Sequence, residues 1–225
     1  MRKIVLKLGG HLLFSKPDSF KDYVIVLDKV LADFKNLFIV VGGGQKARDY
    51  IKLGRELNLS EAYLDQLGIM ISHVNAFLIY SYLIRNHRVK FVTSWEEFIE
   101  LAGSDYALIS GGLLPSISTT TVACLMAEAT NAMLLYATDV EGVYDKDPKK
   151  HADAKLFKEI EIEDLIKVLR DTQDMRAGQY KLFDQHALDI MKRSKIPVRV
   201  FNGLNVENII RAIKNENIGT LIYYK

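Results

Sequence analysis

A chain of 225 residues, 49% hydrophobic and 26% charged, has the composition of an ordinary globular protein able to bury a substantial core. Its net charge of +2 excludes the strongly basic surface of a nucleic-acid protein, so no nucleic-acid partner is expected. The single cysteine, Cys124, excludes an intrachain disulfide and fits a reducing, cytoplasmic compartment. No apolar run reaches the ~18 residues of a membrane span, so no membrane partner is expected. Lys7 also interrupts the first apolar run too early for a signal peptide.

The elements follow a regular alternation. Residues 3–8, KIVLKL, read as a strand, and apolar positions from Phe20 to Phe34 recur at helical spacing. LFIVV, 37–41, is strand-like and ends in three glycines, after which 45–58 is helical. Residues 60–85 carry a long apolar helical pattern in which Gly68 is a candidate break. VKFVT, YALIS and AMLLYAT predict three further strands, with a helix from Ser118 to Thr130 before the last, and Trp95 packs a short helix. Helices near 162–171 and 185–194, the strand PVRVF, a helix at 205–215 and the strand GTLIYY complete the chain. Strands alternating with helices predict an α/β fold with a mainly parallel sheet covered on both faces. No repeat or Pro/Gly linker divides it, so a single domain spanning 1–225 with two lobes is expected.

Four strand ends share one chemistry. They read KLGGH, VVGGGQKAR, LISGGLLPSIST and YATDVEGVYDKDP. In open α/β sheets ligands bind outside the carboxyl ends of the strands. Glycines there bare backbone N–H groups, and a following helix N-terminus adds partial positive charge, which together suit phosphate. Lys7 alternates out of an apolar strand two residues before Gly9. In a central strand such a lysine needs an anionic partner, and phosphoryl transfer needs a cation beside the migrating group. There is no GxxxxGK[ST] motif, no protein-kinase signature and no Rossmann spacing.

Taken together, KLGG, VVGGGQKAR, the GG…ST loop and TDVEGVYDKDP resemble the amino acid kinase family, and the resemblance covers essentially the whole chain. Within it, ARDYI, EAYLDQLGI, NAFL and DPKKHADAKLFKEI are most similar to archaeal UMP kinases. The resemblance implies a three-layer αβα sandwich, assembly as a homohexamer, and transfer of the ATP γ-phosphoryl group to UMP in pyrimidine nucleotide biosynthesis, with Mg2+ carried by the ATP. Residues 1–130 would form the acceptor lobe and 131–225 the ATP lobe.

The resemblance also implies roles residue by residue. Lys7 would stabilise transition-state charge, with Asp184 orienting it. Gly9 and Gly10 would hold ATP phosphates, joined by Gly44 and Arg48 where donor and acceptor meet. Thr138, Asp139, Tyr144 and Asp147 would form the adenine and ribose site. Gly43 would contact the UMP phosphate and Asp65 its sugar or base. Leu113, Leu114, Pro115, Ser116, Ile117, Ser118 and Thr119 would form the uridine loop. Residue chemistry alone also allows Asp139 as a turn former, Asp147 as a loop starter, Asp65 as an exposed helix residue and Asp184 as an N-cap. Lys146, Lys149, Lys150, Lys155 and Lys158 read as a solvated surface, and the five scattered histidines lack metal-ligand spacing, so no protein-bound metal is assigned.

Three departures bear on the acceptor. His11 stands where the family commonly has serine, Ser116 replaces a glycine and requires negative φ there, and the aspartate that many relatives carry near Thr120 is missing. Other kinases of this fold remain as alternatives, isopentenyl phosphate kinase among them, although no histidine follows the triple glycine. A non-catalytic nucleotide sensor or storage protein is the reading from a different class.

Overall fold

The computed structural model describes residues 2–172 and 182–225. Its strands are β1 (Ile4–Leu8), β2 (Leu37–Val41), β3 (Val89–Val92), β4 (Ala107–Ser110), β5 (Met133–Thr138), β6 (Glu159–Glu161), β7 (Val198–Asn202) and β8 (Thr220–Tyr223). Between them lie α1 (Gly10–Leu13), α2 (Ser19–Asp33), α3 (Gly44–Glu56), α4 (Glu61–Leu83), α5 (Trp95–Leu101), α6 (Thr119–Thr130), α7 (Ile162–Thr172), α8 (Gln185–Ser194) and α9 (Glu207–Ile213).

One sheet carries the strands in the order β3-β4-β2-β1-β5-β7-β8-β6. Neighbours are parallel except β7 and β8, which run antiparallel. Every residue of β1, β2 and β5 is buried, as the unbroken apolar runs require when helices cover both faces. Period-two alternation divides the core. Val5, Val40, Leu134 and Tyr136 pack towards Ala123 and Cys124 of α6 and Leu188 and Met191 of α8. Ile4, Leu6, Leu8 and Ile39 pack towards Tyr23 and Leu27 of α2, Ile79 of α4 and Ile209 of α9. The result is the expected three-layer αβα sandwich, and alternation puts Lys7 on the Val5 face, towards α6.

β1 is interior to the sheet, so Lys7 lies on a covered strand rather than at an edge. The chain leaves β1 for β2 on one side, whereas β5 lies against the other side of β1 and leads on to β6 at the opposite edge. This reversal opens a crevice at the carboxyl ends of β1 and β5.

α4 runs unbroken through Gly68, contrary to the break point considered above. A lone glycine costs a helix about 1 kcal/mol, which the buried stripe Leu64, Ile69, Ala76, Ile79 and Leu83 outweighs. β6 and α1 have no counterpart in the sequence reading, because three and four residues are too short to show a period.

Candidate active site

The triple glycine is explained by a backbone interlock between the first two strand ends. A Cβ on Gly10 would lie 2.2 Å from the carbonyl oxygen of Gly42, and one on Gly44 would lie 2.5 Å from the carbonyl carbon of Gly10. Gly44 also holds a φ of +66°, where glycine carries no steric penalty. The β1–α1 and β2–α3 turns therefore touch backbone to backbone. Asn75 of α4 fixes the arrangement by donating its amide to the carbonyls of Gly42 at 2.9 Å and Gly43 at 3.3 Å. Arg48, one turn into α3, is exposed and donates to Gln45 Oε1.

Beside these turns is a cavity of about 350 Å³. Gly43 and Ala47 close one side, Asp65, Gly68, Ile69 and Ser72 of α4 another, and Leu114 with Ser116 through Thr119 the third. The wall comes from three distant parts of the chain, so the cavity exists only in the folded state. The sequence-predicted acceptor residues Gly43, Asp65, Leu114, Ser116, Ile117, Ser118 and Thr119 all line it. Leu113 instead joins the core, and Pro115 is not on the wall.

Ser116 corrects one expectation. Its φ is +62°, so it occupies the left-handed region in spite of its side chain. The conformation is held by Asp65 Oδ2, which accepts from the Ser116 N–H at 2.8 Å and from its hydroxyl at 3.3 Å. Serine hydrogen-bonded in this way offsets part of the ~1–2 kcal/mol that the left-handed region costs. Ser72, which the sequence reading did not single out, accepts from the Gly112 N–H at 2.8 Å and donates to the Ile69 carbonyl at 2.7 Å. It ties the loop after β4 to α4.

Lys7 is 6% exposed, and its ammonium lies 4.6 Å from the centroid of the Tyr136 ring. Asp184 caps α8 by accepting from the Ala187 N–H at 3.0 Å. Its other partners are the hydroxyls of Thr121, at 2.7 Å, and Ser118. The carboxylate thus serves two helix N-termini, its own and that of α6, where Ser118 is the N-cap. Among the described residues no carboxylate lies within ion-pair distance of Lys7, Asp184 included. Both still act on the buried Cys124 of α6, whose thiol is pushed far up by burial, with Asp184 adding to the rise and Lys7 opposing it.

The fifth strand end completes the crevice. Asp139 lies 3.8 Å from His11 Nε2 and pairs with Lys149 Nζ at 2.5 Å, and Thr138 Oγ1 donates to it at 3.4 Å. Burial works against the Asp139 carboxylate, but Lys149 and His11 outweigh it and hold the group below the ordinary carboxylate range. Asp147 accepts from the Lys149 N–H at 2.9 Å, which brings the DKDP turn back to Asp139. Tyr144 forms a bridge with Leu156, and burial raises its phenol. Lys149, read from sequence as part of a solvated cluster, therefore links two ends of the predicted nucleotide site. Nothing local in KDPKK marks that role, since it depends on a carboxylate ten residues earlier.

Among the described residues no group of three or more histidine, cysteine or acidic side chains is arranged to hold a metal ion. The geometry defines a crevice with glycine turns, a buried ammonium and a neighbouring polar cavity, which is the equipment of a phosphoryl-transfer enzyme. A family model described as the amino acid kinase family matches residues 2–202. The chain belongs to that family. It is 41% identical over 224 residues to the uridylate kinase of Sulfurisphaera tokodaii, covering 98% of both chains. It is 38% identical to the uridylate kinase of Methanobrevibacter smithii, covering 99% of this chain and 100% of the other. Its fold superposes on the crystal structure of uridylate kinase from Archaeoglobus fulgidus with a TM-score of 0.85 and 33% identity, covering 98% and 99% of the two chains.

Proposed function

We propose that the protein is a uridylate kinase that transfers the γ-phosphoryl group of ATP to UMP, giving ADP and UDP. The observation that carries the reading is the cavity beside the interlocked glycine turns, since it gathers Gly43, Asp65 and residues 116–119 within reach of the β1 strand end. Full-length similarity to proteins named uridylate kinase supports the choice of acceptor.

In this reading an oxygen of the UMP phosphate attacks the γ-phosphorus, the bond to the bridging oxygen breaks, and ADP leaves. The attacking phosphate is already anionic, so positioning and charge neutralisation carry the reaction without a general base. Lys7 neutralises the developing charge from the floor of the crevice. Gly9, Gly10, Gly44 and Arg48 hold the ATP phosphates, and Thr138, Asp139, Tyr144 and Asp147 the nucleoside. Asp65 and the loop 113–119 hold the UMP nucleoside, and Gly43 its phosphate. Mg2+ carried with the ATP would supply further charge neutralisation at the phosphates. Residues 1–130 serve the acceptor and 131–225 the donor, in a cytoplasmic enzyme.

The assembly is a homohexamer in this reading. α4 supports a self-associating surface, because it exposes Met70, Val74, Phe77 and Leu78 along one stripe.

The test is ADP release from Mg-ATP across UMP, CMP, dUMP, isopentenyl phosphate, acetylglutamate and carbamate. Release with UMP is the expected result. Release with isopentenyl phosphate alone would transfer the protein to another kinase of this fold. ATP binding without release on any acceptor would make it a sensor or storage protein.

A further inference from the structure

A buried lysine normally requires a carboxylate, and Lys7 has none within ion-pair distance among the described residues. We infer that Tyr136 is the positioning residue for Lys7, holding its ammonium against the ring face at the floor of the crevice. Lys7 and Tyr136 are register partners on the adjacent parallel strands β1 and β5, so both side chains leave the sheet on the same face. The ammonium stands 4.6 Å from the ring centroid, well inside the reach of a cation–π interaction.

The ring itself is fixed. Tyr136 is 4% exposed, and Phe183 packs against it edge to face, with centroids 5.4 Å apart and planes at 75°. Phe183 is fully buried and directly precedes Asp184, which caps α8 and binds the hydroxyls at the start of α6. Asp184 therefore reaches Lys7 through Phe183 and Tyr136 rather than by direct pairing.

The choice of an aromatic face has a chemical consequence. A carboxylate would neutralise Lys7 and compete with phosphoryl oxygens for it. A ring quadrupole stabilises the ammonium in a desolvated place while leaving its full charge for an arriving anion. The stacking is a property of the fold, and only its effect on turnover rests on the role proposed above for Lys7.

The two parts are tested separately. Protein carrying lysine labelled with 13C at Cε is examined by NMR, and Lys7→Met identifies the Lys7 resonance. In the native protein and in Tyr136→Phe that resonance is expected upfield of the other lysines, shielded by the ring. In Tyr136→Leu it returns to the common position. Kinetically, Tyr136→Leu is expected to lower kcat about tenfold with both KM values within about twofold, and Tyr136→Phe to restore most of the loss. Tyr136→Met, of similar bulk without a ring, replaces Tyr136→Leu if that variant unfolds. An unshifted Lys7 resonance in the native protein overturns the proposal, as does full turnover in the ringless variant. A protein inactive on every acceptor but with a shifted Lys7 resonance would refute the activity and leave the stacking standing.

Discussion

Ser116 and His11 are two of the three positions where this chain departs from what its family resemblance implies, and the structure gives each of them a physical setting. Ser116 keeps a positive φ because Asp65 receives both its N–H and its hydroxyl. His11 stands among Lys7, Arg48, Lys149 and Asp139 at the first turn of α1. Burial lowers its imidazole below the ordinary 6.5; Asp139 opposes that, and the three cations add to it. With the folded value lower than the unfolded one, the unfolded chain binds the proton first as pH falls. The stability that neutral His11 contributes is thus complete above the ordinary value and is lost as pH drops through 6.5. His73, also lowered by burial with an opposing hydrogen bond to the Gly112 backbone, acts in the same direction. We predict that the urea midpoint falls between about pH 7.5 and 5.5 and that His11→Gln makes the slope shallower. An unchanged slope in that variant would remove His11 from the acid sensitivity.

Helices α6 and α8 are joined by a single carboxylate. Asp184 satisfies the first turn of α8 and receives hydroxyls from the N-cap and third residue of α6, whose start also walls the cavity proposed for the acceptor. Replacing Asp184 with alanine removes one cap and strands two hydroxyls, so a loss of about 1–3 kcal/mol is expected in urea unfolding. Because the cavity wall loosens with it, KM for the acceptor should rise as well. Asp184→Asn, which still accepts from Ala187, should recover part of the stability. Most elements were legible from pattern, β2 and β5 as unbroken apolar runs of strand length and α2 from apolar positions at helical spacing. The dual role of Asp184 was legible only by half, as an N-cap, since the second helix it serves begins 66 positions away.

At the scale of the whole molecule, α4 supplies both a wall of the cavity proposed for the acceptor and an apolar outer stripe. Val74 is 63% exposed on that stripe, beside Met70 and Phe77. If the proposed homohexamer forms through this stripe, Val74→Glu splits it into smaller species in sedimentation velocity while leaving the fold intact by circular dichroism. An unchanged sedimentation coefficient would place the subunit contacts elsewhere. Glycine turns made the site readable in one dimension, because their signal is local and strand ends are found by pattern. Ser72, Asn75 and Tyr136 carried no such signal. Each is unremarkable in its own segment and acquires a role only when β1, β5 and α4 converge.

The solitary thiol has a practical consequence. Cys124 is fully buried in α6 and resists ionisation, so maleimides and other alkylating dyes should pass it by. The native chain is therefore silent towards thiol reagents. A cysteine placed at the exposed Leu114, on the rim of the cavity, would accept a fluorophore at one address and report, in real time, each occupant that enters.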